Sequence, residues 1–141
     1  MRRAHLGAFG EAWSSAASAV LQPEALIPTV WTDGVIDGDL DLSVCAELSE
    51  LEPYGKQWEV PIFQARARVT ELRPVGDGSH LKLGLAIGSQ RHEGIWFSAV
   101  RDGVVPLSLG ADAQIAFELD VNEFNGVRRL QLRVRHASRV V

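Results

Sequence analysis

The chain has 141 residues, is 46% hydrophobic, and carries a single cysteine and a net charge of −4. It can bury one core, but a lone Cys45 excludes an internal disulfide framework and suits a reducing cytoplasm. No run of about 18 apolar residues is present to span a membrane, and "MRRAHLGAFGEAW" lacks the apolar stretch of a signal peptide. The net charge conceals two segments of opposite sign. Residues 1–59 hold three basic and ten acidic side chains, whereas residues 60–141 hold eleven basic and eight acidic.

Leu6, Phe9, Trp13, Ala16, Ala17 and Val20 or Leu21 recur at three-and-four spacing, which predicts an amphipathic helix over 4–21, closed by Pro23. Residues 27–34 and 35–43 read as short extended segments around Asp-Gly turns. Ser43 is the expected N-cap of a second short helix, with Val44, Leu48 and Leu51 on one face, stopping at Pro53. After Pro61 the period changes to two. "IFQARARVTEL", "HLKLGLAIG" and "AQIAFELDVNEF" alternate apolar and polar residues, and "GIWFSAV" reads as a further strand between them. "VVPLSLGAD" is irregular or a brief helical turn. Asn125-Gly126 signals a hairpin into "VRRLQLRVRHA". Five such strands predict a small closed or partly open β-barrel, with an OB-fold and a small sandwich as the competing architectures. The irregular link before strand four favours the OB arrangement.

No catalytic constellation is legible. Asp33, Asp37, Asp39 and Asp41 sit among Gly and apolar residues in the manner of turn chemistry and do not fit a calcium loop. Cys45 has no partner histidine, and the four histidines are scattered, so no metal site is expected. The basic residues are better placed. Arg66 and Arg68 share a face of the first strand, and Arg129, Arg133 and Arg135 share a face of the last. If those strands are neighbours, the two faces join into one stripe, which Lys82 extends. Such a track, with Trp58 and Phe124 beside turns as stacking faces, is what a single-strand groove requires. Alternating Arg is equally how a half-buried sheet stays soluble. Trp96 reads as core.

Four stretches, "LSELEPYGKQWEVPIF", "VGDGSHLKLGLAIG", "GIWFSAV" and "VNEFNGVRRLQLRV", together resemble the C-terminal part of the bacterial RecJ exonucleases, which degrade single-stranded DNA from the 5′ end. The shared features are the Pro53-Tyr54-Gly55 turn, the Gly76 to Leu81 strand start, the Asn122 to Gly126 hairpin and Gln131-Leu132. The resemblance implies a mainly β chain: a helical connector over 1–52, like the end of a DHHA1 domain, and a five-stranded OB-fold domain over 53–141. It implies a single-stranded-DNA-binding module acting in DNA recombination and repair. Pro53, Gly55, His80, Asn125 and Gly126 would be structural turn residues, His80 by a hydrogen bond fixing the turn before the second strand. The family's Asp-His-His and Gly-Gly-His motifs are absent, so the chain alone is expected to be non-catalytic and without cofactor. Mn or Mg would belong to the missing DHH core. Expected partners are single-stranded DNA, a DHH/DHHA1 catalytic portion and a single-strand-binding protein; the alternative is an interaction or structural OB module. Gln57, Trp58 and Glu59 depart from the family's usual Gly-Asn-Pro.

Overall fold

The computed structural model describes residues 5–22 and 29–140. Its elements run α1 (Leu6–Val20), β1 (Gly34–Val35), α2 (Leu42–Ser49), β2 (Phe63–Val75), β3 (His80–Ile87), β4 (Gln90–Trp96), β5 (Asp112–Phe124) and β6 (Val127–Arg139). The sheet order is β1-β2-β3-β4-β6-β5, and β2 also pairs with β5. Five strands therefore close on themselves, which leaves the barrel without a free edge. The β4–β6 pair is parallel, and the other barrel pairs are antiparallel. This is a five-stranded OB barrel preceded by a short helical connector.

Period-two alternation explains the core. Ala65, Ala67 and Val69 of β2, the Leu81-to-Ile87 row of β3, Ile115 and Phe117 of β5, and Leu132 and Val134 of β6 all point inward and are buried. Each fully buried Leu, Ile or Val stabilises by about 1.5–3 kcal/mol over an exposed one. Residues 97–111 contain turns but no helix, and Leu107 from this link is buried in the core. Gly110 N donates to Val69 O and Val69 N to Ala111 O, tying the link to β2.

Some local expectations change. The N-cap of α2 is Asp41, not Ser43: Asp41 Oδ1 accepts from Ser43 N at 2.7 Å. A carboxylate two residues earlier reaches the free amides better than the serine, which itself donates to it. The strand predicted as "GIWFSAV" runs Gln90–Trp96 instead, because Ser98 has φ 51 and turns the chain away after Trp96. Helix α1 forms, but Leu6, Phe9, Trp13 and Val20 stay exposed. The predicted stop at Pro23 and the extended start at Ile27 and Pro28 lie outside the described residues.

Strand β2 serves two partners. Residues 63–68 pair with β5 and residues 68–75 with β3, with a register shift between Val69 and Glu71. Gly84 of β3 faces that shift. A Cβ there would meet Thr70 Oγ1 at 2.8 Å, Glu71 Cβ at 2.9 Å and Glu71 N at 3.1 Å. Gly84→Ala is therefore expected to cost about 1–3 kcal/mol by overpacking, read as a lower urea midpoint.

His92 points inward opposite Leu85, is buried, and its Nε2 has no hydrogen-bond partner among the described residues. Burial pushes its imidazole below the usual 6.5, against a weaker opposing pull from Asp39. The unfolded imidazole takes up its proton near that value and the buried one only lower, so acid favours unfolding. The urea midpoint should hold above about pH 7 and fall below about 6.5, and His92→Leu should make that fall shallower.

Candidate nucleic-acid interface

Strand register fixes which side chains share the outer face. Arg73 of β2 pairs with Lys82 of β3, Lys82 with Ile95 of β4, and Ile95 with Arg133 of β6. One row across four strands thus carries three cations around an isoleucine. The next row, toward the β3–β4 turn, is Glu71, Gly84, Glu93, Gln131 and Asp120. Its acids reach back: Lys82 Nζ lies 3.1 Å from Glu93, and Arg133 lies 3.6 Å from Asp120. Arg73 has no ion-pair partner among the described residues.

On the other side of the cation row stand His80 and Phe97. Phe97, just past the end of β4, is 51% exposed. Its ring centroid lies 5.7 Å from the Arg133 guanidinium carbon and 5.3 Å from the His80 ring, which meets it edge-on. His80 Nδ1 accepts from Ser98 N at 3.0 Å, which requires a lone pair on Nδ1 and leaves the ring proton to Nε2. Ser79 Oγ sits 3.0 Å from the same nitrogen and donates to Asp77 Oδ1. The Ser79 side-chain and backbone hydrogen bonds hold the Asp77 carboxyl below its ordinary value. His80 thus holds by a hydrogen bond the turn that follows β4, whereas the turn before β3 is held by Asp77 accepting from Ser79 N and Oγ.

The expected single stripe splits. In this strand order β5 lies between β2 and β6, so the first and last strands are not neighbours. Arg66 and Arg68 pair with Gln114 and Asp112 of β5, on a different face, and Arg68 lies 3.8 Å from Asp112. Arg135 occupies the register irregularity of β6, and its Nε donates to Glu118 Oε1 at 2.7 Å. Glu118 is buried, and this pair neutralises it. Arg129 lines a cleft with Glu71, Arg91 and Glu93. Of the six basic residues singled out, only Lys82 and Arg133 share a row.

Phe124 is exposed at the β5–β6 hairpin tip, where Asn125 and Gly126 hold φ 51 and 74. Both values lie in the left-handed region that this turn demands. Trp58 belongs elsewhere, in the turn after Pro53. Gly55 and Trp58 exchange backbone hydrogen bonds, Tyr54 Oη donates to Leu48 O, and Trp58 Nε1 donates to Leu51 O at 3.0 Å. The acidic residues serve structure: Asp33 accepts from Ile62 N, Asp39 accepts from Ser89 Oγ, and Asp41 caps α2. Burial, with Asp120 close by, pushes the Cys45 thiol up, which keeps it protonated at neutral pH. Among the described residues no three His, Cys, Asp or Glu side chains converge.

The family model described as the RecJ OB domain matches residues 33–136. The chain belongs to the RecJ OB domain family. It is 34% identical over 119 residues to the single-stranded-DNA-specific exonuclease RecJ of Dickeya dadantii, covering 82% of this chain and 20% of that protein. Against RecJ of Escherichia coli the identity is 31% over 115 residues, covering 79% and 20%. The chain thus spans about a fifth of the length of the curated relatives it matches. The crystal structure of Thermus thermophilus RecJ in complex with Mg2+ superimposes with a TM-score of 0.70 at 22% identity, covering 98% of this chain and 21% of that one. This likeness establishes the shared fold.

In this RecJ OB domain, Phe97 and Arg73 join the cation row and its flank although sequence reasoning passed them over. Phe97 lay inside a supposed strand with apolar residues on both sides. Yet Gly94 and Trp96 alternating inward already place Ile95 and Phe97 outward. Arg73 stood next to Pro74, beyond the predicted end of its strand. Since the Ser98–His80 bond holds the Phe97 turn, His80→Ala should speed amide hydrogen exchange at Ser98 by about fivefold, the worth of one hydrogen bond near 1 kcal/mol. Exchange in the barrel strands should not change.

Proposed function

We propose that this barrel grips single-stranded DNA across the outer face of β3 and β4, as the strand-holding module of a RecJ-type 5′-3′ exonuclease in recombination and repair. The reading rests on the half-exposed Phe97 with the Arg133 guanidinium against its ring, beside the row of Arg73, Lys82 and Arg133. A base stacks on Phe97 while its flanking phosphates meet the cation row; the acidic row of Glu71, Glu93 and Asp120 bounds the track on the far side. Lys82 and Arg133 exchange their exposed partners for phosphate at little cost, because surface ion pairs contribute only about 0–1 kcal/mol. Phe124 at the hairpin tip and Arg129 flank this track, while Arg66 and Arg68 form a separate patch for strand leaving it.

In this reading the chain holds DNA and does not cut it. Hydrolysis, with its Mn or Mg, belongs to a DHH/DHHA1 catalytic portion, and the setting is the cytoplasm, with a single-strand-binding protein as a further partner. The chain incubated with single-stranded DNA and Mn2+ should leave the strand at full length.

Binding is tested by fluorescence anisotropy with labelled oligo-dT. Phe97→Ala should weaken affinity roughly 5- to 100-fold, the loss of about 1–3 kcal/mol of stacking. Three phosphates contacted give a slope of log K against log salt of about −2, and Lys82→Ala should bring it to about −1.4. Unchanged affinity in Phe97→Ala together with an unchanged slope in Lys82→Ala would sink this assignment.

A further inference from the structure

Trp58 and Trp31 stand over one cleft away from the cation row, lined also by Asp33, Leu51, Glu59 and Pro61. Trp31 is 84% exposed and Trp58 55%, a large apolar area to leave in water. Their setting is nonetheless built. Trp58 is anchored at its indole nitrogen by Leu51 O and at its backbone by Gly55. Asp33 is held by a reciprocal pair, its N donating to Ile62 O and its Oδ2 accepting from Ile62 N. Glu59 makes no hydrogen bond or ion pair among the described residues.

We propose that this cleft docks an arginine-bearing basic segment of a protein partner. Among the described residues no Lys or Arg lines it, Lys56 of the same turn included. The adjoining cleft shares Trp31 and Glu59, and the one cation among its described lining residues is Arg135, which Glu118 occupies. Residues 1–59, which supply most of the lining, carry seven more acidic than basic side chains. Phosphates are repelled from such a site, so Trp58 does not serve as a base platform here. A guanidinium suits it: its plane stacks on an indole face while its donors reach a carboxylate, a pairing that a compact ammonium makes less well. The charge of the cleft thus selects one occupant, and the site is independent of the DNA face.

The test follows the tryptophan indole N–H signals of the 15N-labelled chain by NMR, with Trp13 and Trp96 as internal controls. Titration with tetra-arginine amide should move the Trp31 and Trp58 signals, and oligo-dT should leave both in place. Trp31→Ala and Glu59→Lys, both at exposed positions, should each weaken the peptide by about two- to fivefold, as loss of an exposed cation–π contact or its partner carboxylate predicts, with the remaining spectrum unchanged. Peptide affinity equal to wild type in both variants overturns the proposal, as does movement of the Trp31 and Trp58 signals by oligo-dT alone. Failure here leaves the Phe97 and Lys82 measurements on DNA unaffected.

Discussion

Closure of the barrel depends on one strand being shared. β2 hydrogen-bonds to β5 with its first half and to β3 with its second, and the handover occurs where the register slips between Val69 and Glu71. The slip needs an opposing residue without a side chain, which Gly84 supplies. A bulge bends a strand and increases its twist, so the outer faces of the two halves diverge. Arg66 and Arg68 consequently look out over β5, whereas Arg73 joins Lys82 on β3. The same backbone event that closes the core also divides the positive charge of the chain.

Charge on the β3–β4 face is arranged as a lattice rather than a bare basic strip. Lys82 meets Glu93, Arg91 meets Glu71 and Arg133 meets Asp120, with half-buried to exposed side chains. Such pairs contribute little to stability but keep a face with several cations from repelling itself. Arg135 and Glu118 differ in kind, since the carboxylate is buried and its partner is committed to it. Exposure of the partner acid therefore separates the arginines available to a ligand from those that are structural. The acidic connector adds a second surface of opposite sign, built around Trp31 and Trp58. One small domain thereby carries a row of Arg73, Lys82 and Arg133 on one face and, apart from it, a cleft lined by Asp33 and Glu59.

The barrel strands were legible because inward positions alternate cleanly. Leu81, Leu83, Leu85 and Ile87 are apolar and buried, and Lys82 is not, so periodicity alone assigns the face. The Asn125-Gly126 turn was legible because few residue pairs tolerate two positive φ angles in succession. Asp41 as the cap was hidden by Ser43, an equally good capping residue two positions on. Phe97 was hidden because Ile95, Trp96 and Phe97 are all apolar, and a run of that kind does not say where a strand ends. Trp58 was correctly read as exposed, but its neighbours could not be read: Trp31 and Asp33 lie over twenty residues away in the chain.

By itself the sequence determined a mainly β class, the buried faces, the hairpin and the separation of an acidic front from a basic rear, since each follows from local alternation, turn chemistry or composition. Which cations stand together was decided only by tertiary structure. Arg66 and Arg133 are both outward on their strands, and nothing local distinguishes them. Strand order places β5 between β2 and β6, and the slip opposite Gly84 turns half of β2 toward another face. Adjacency across a sheet is a property of pairing, and pairing is non-local.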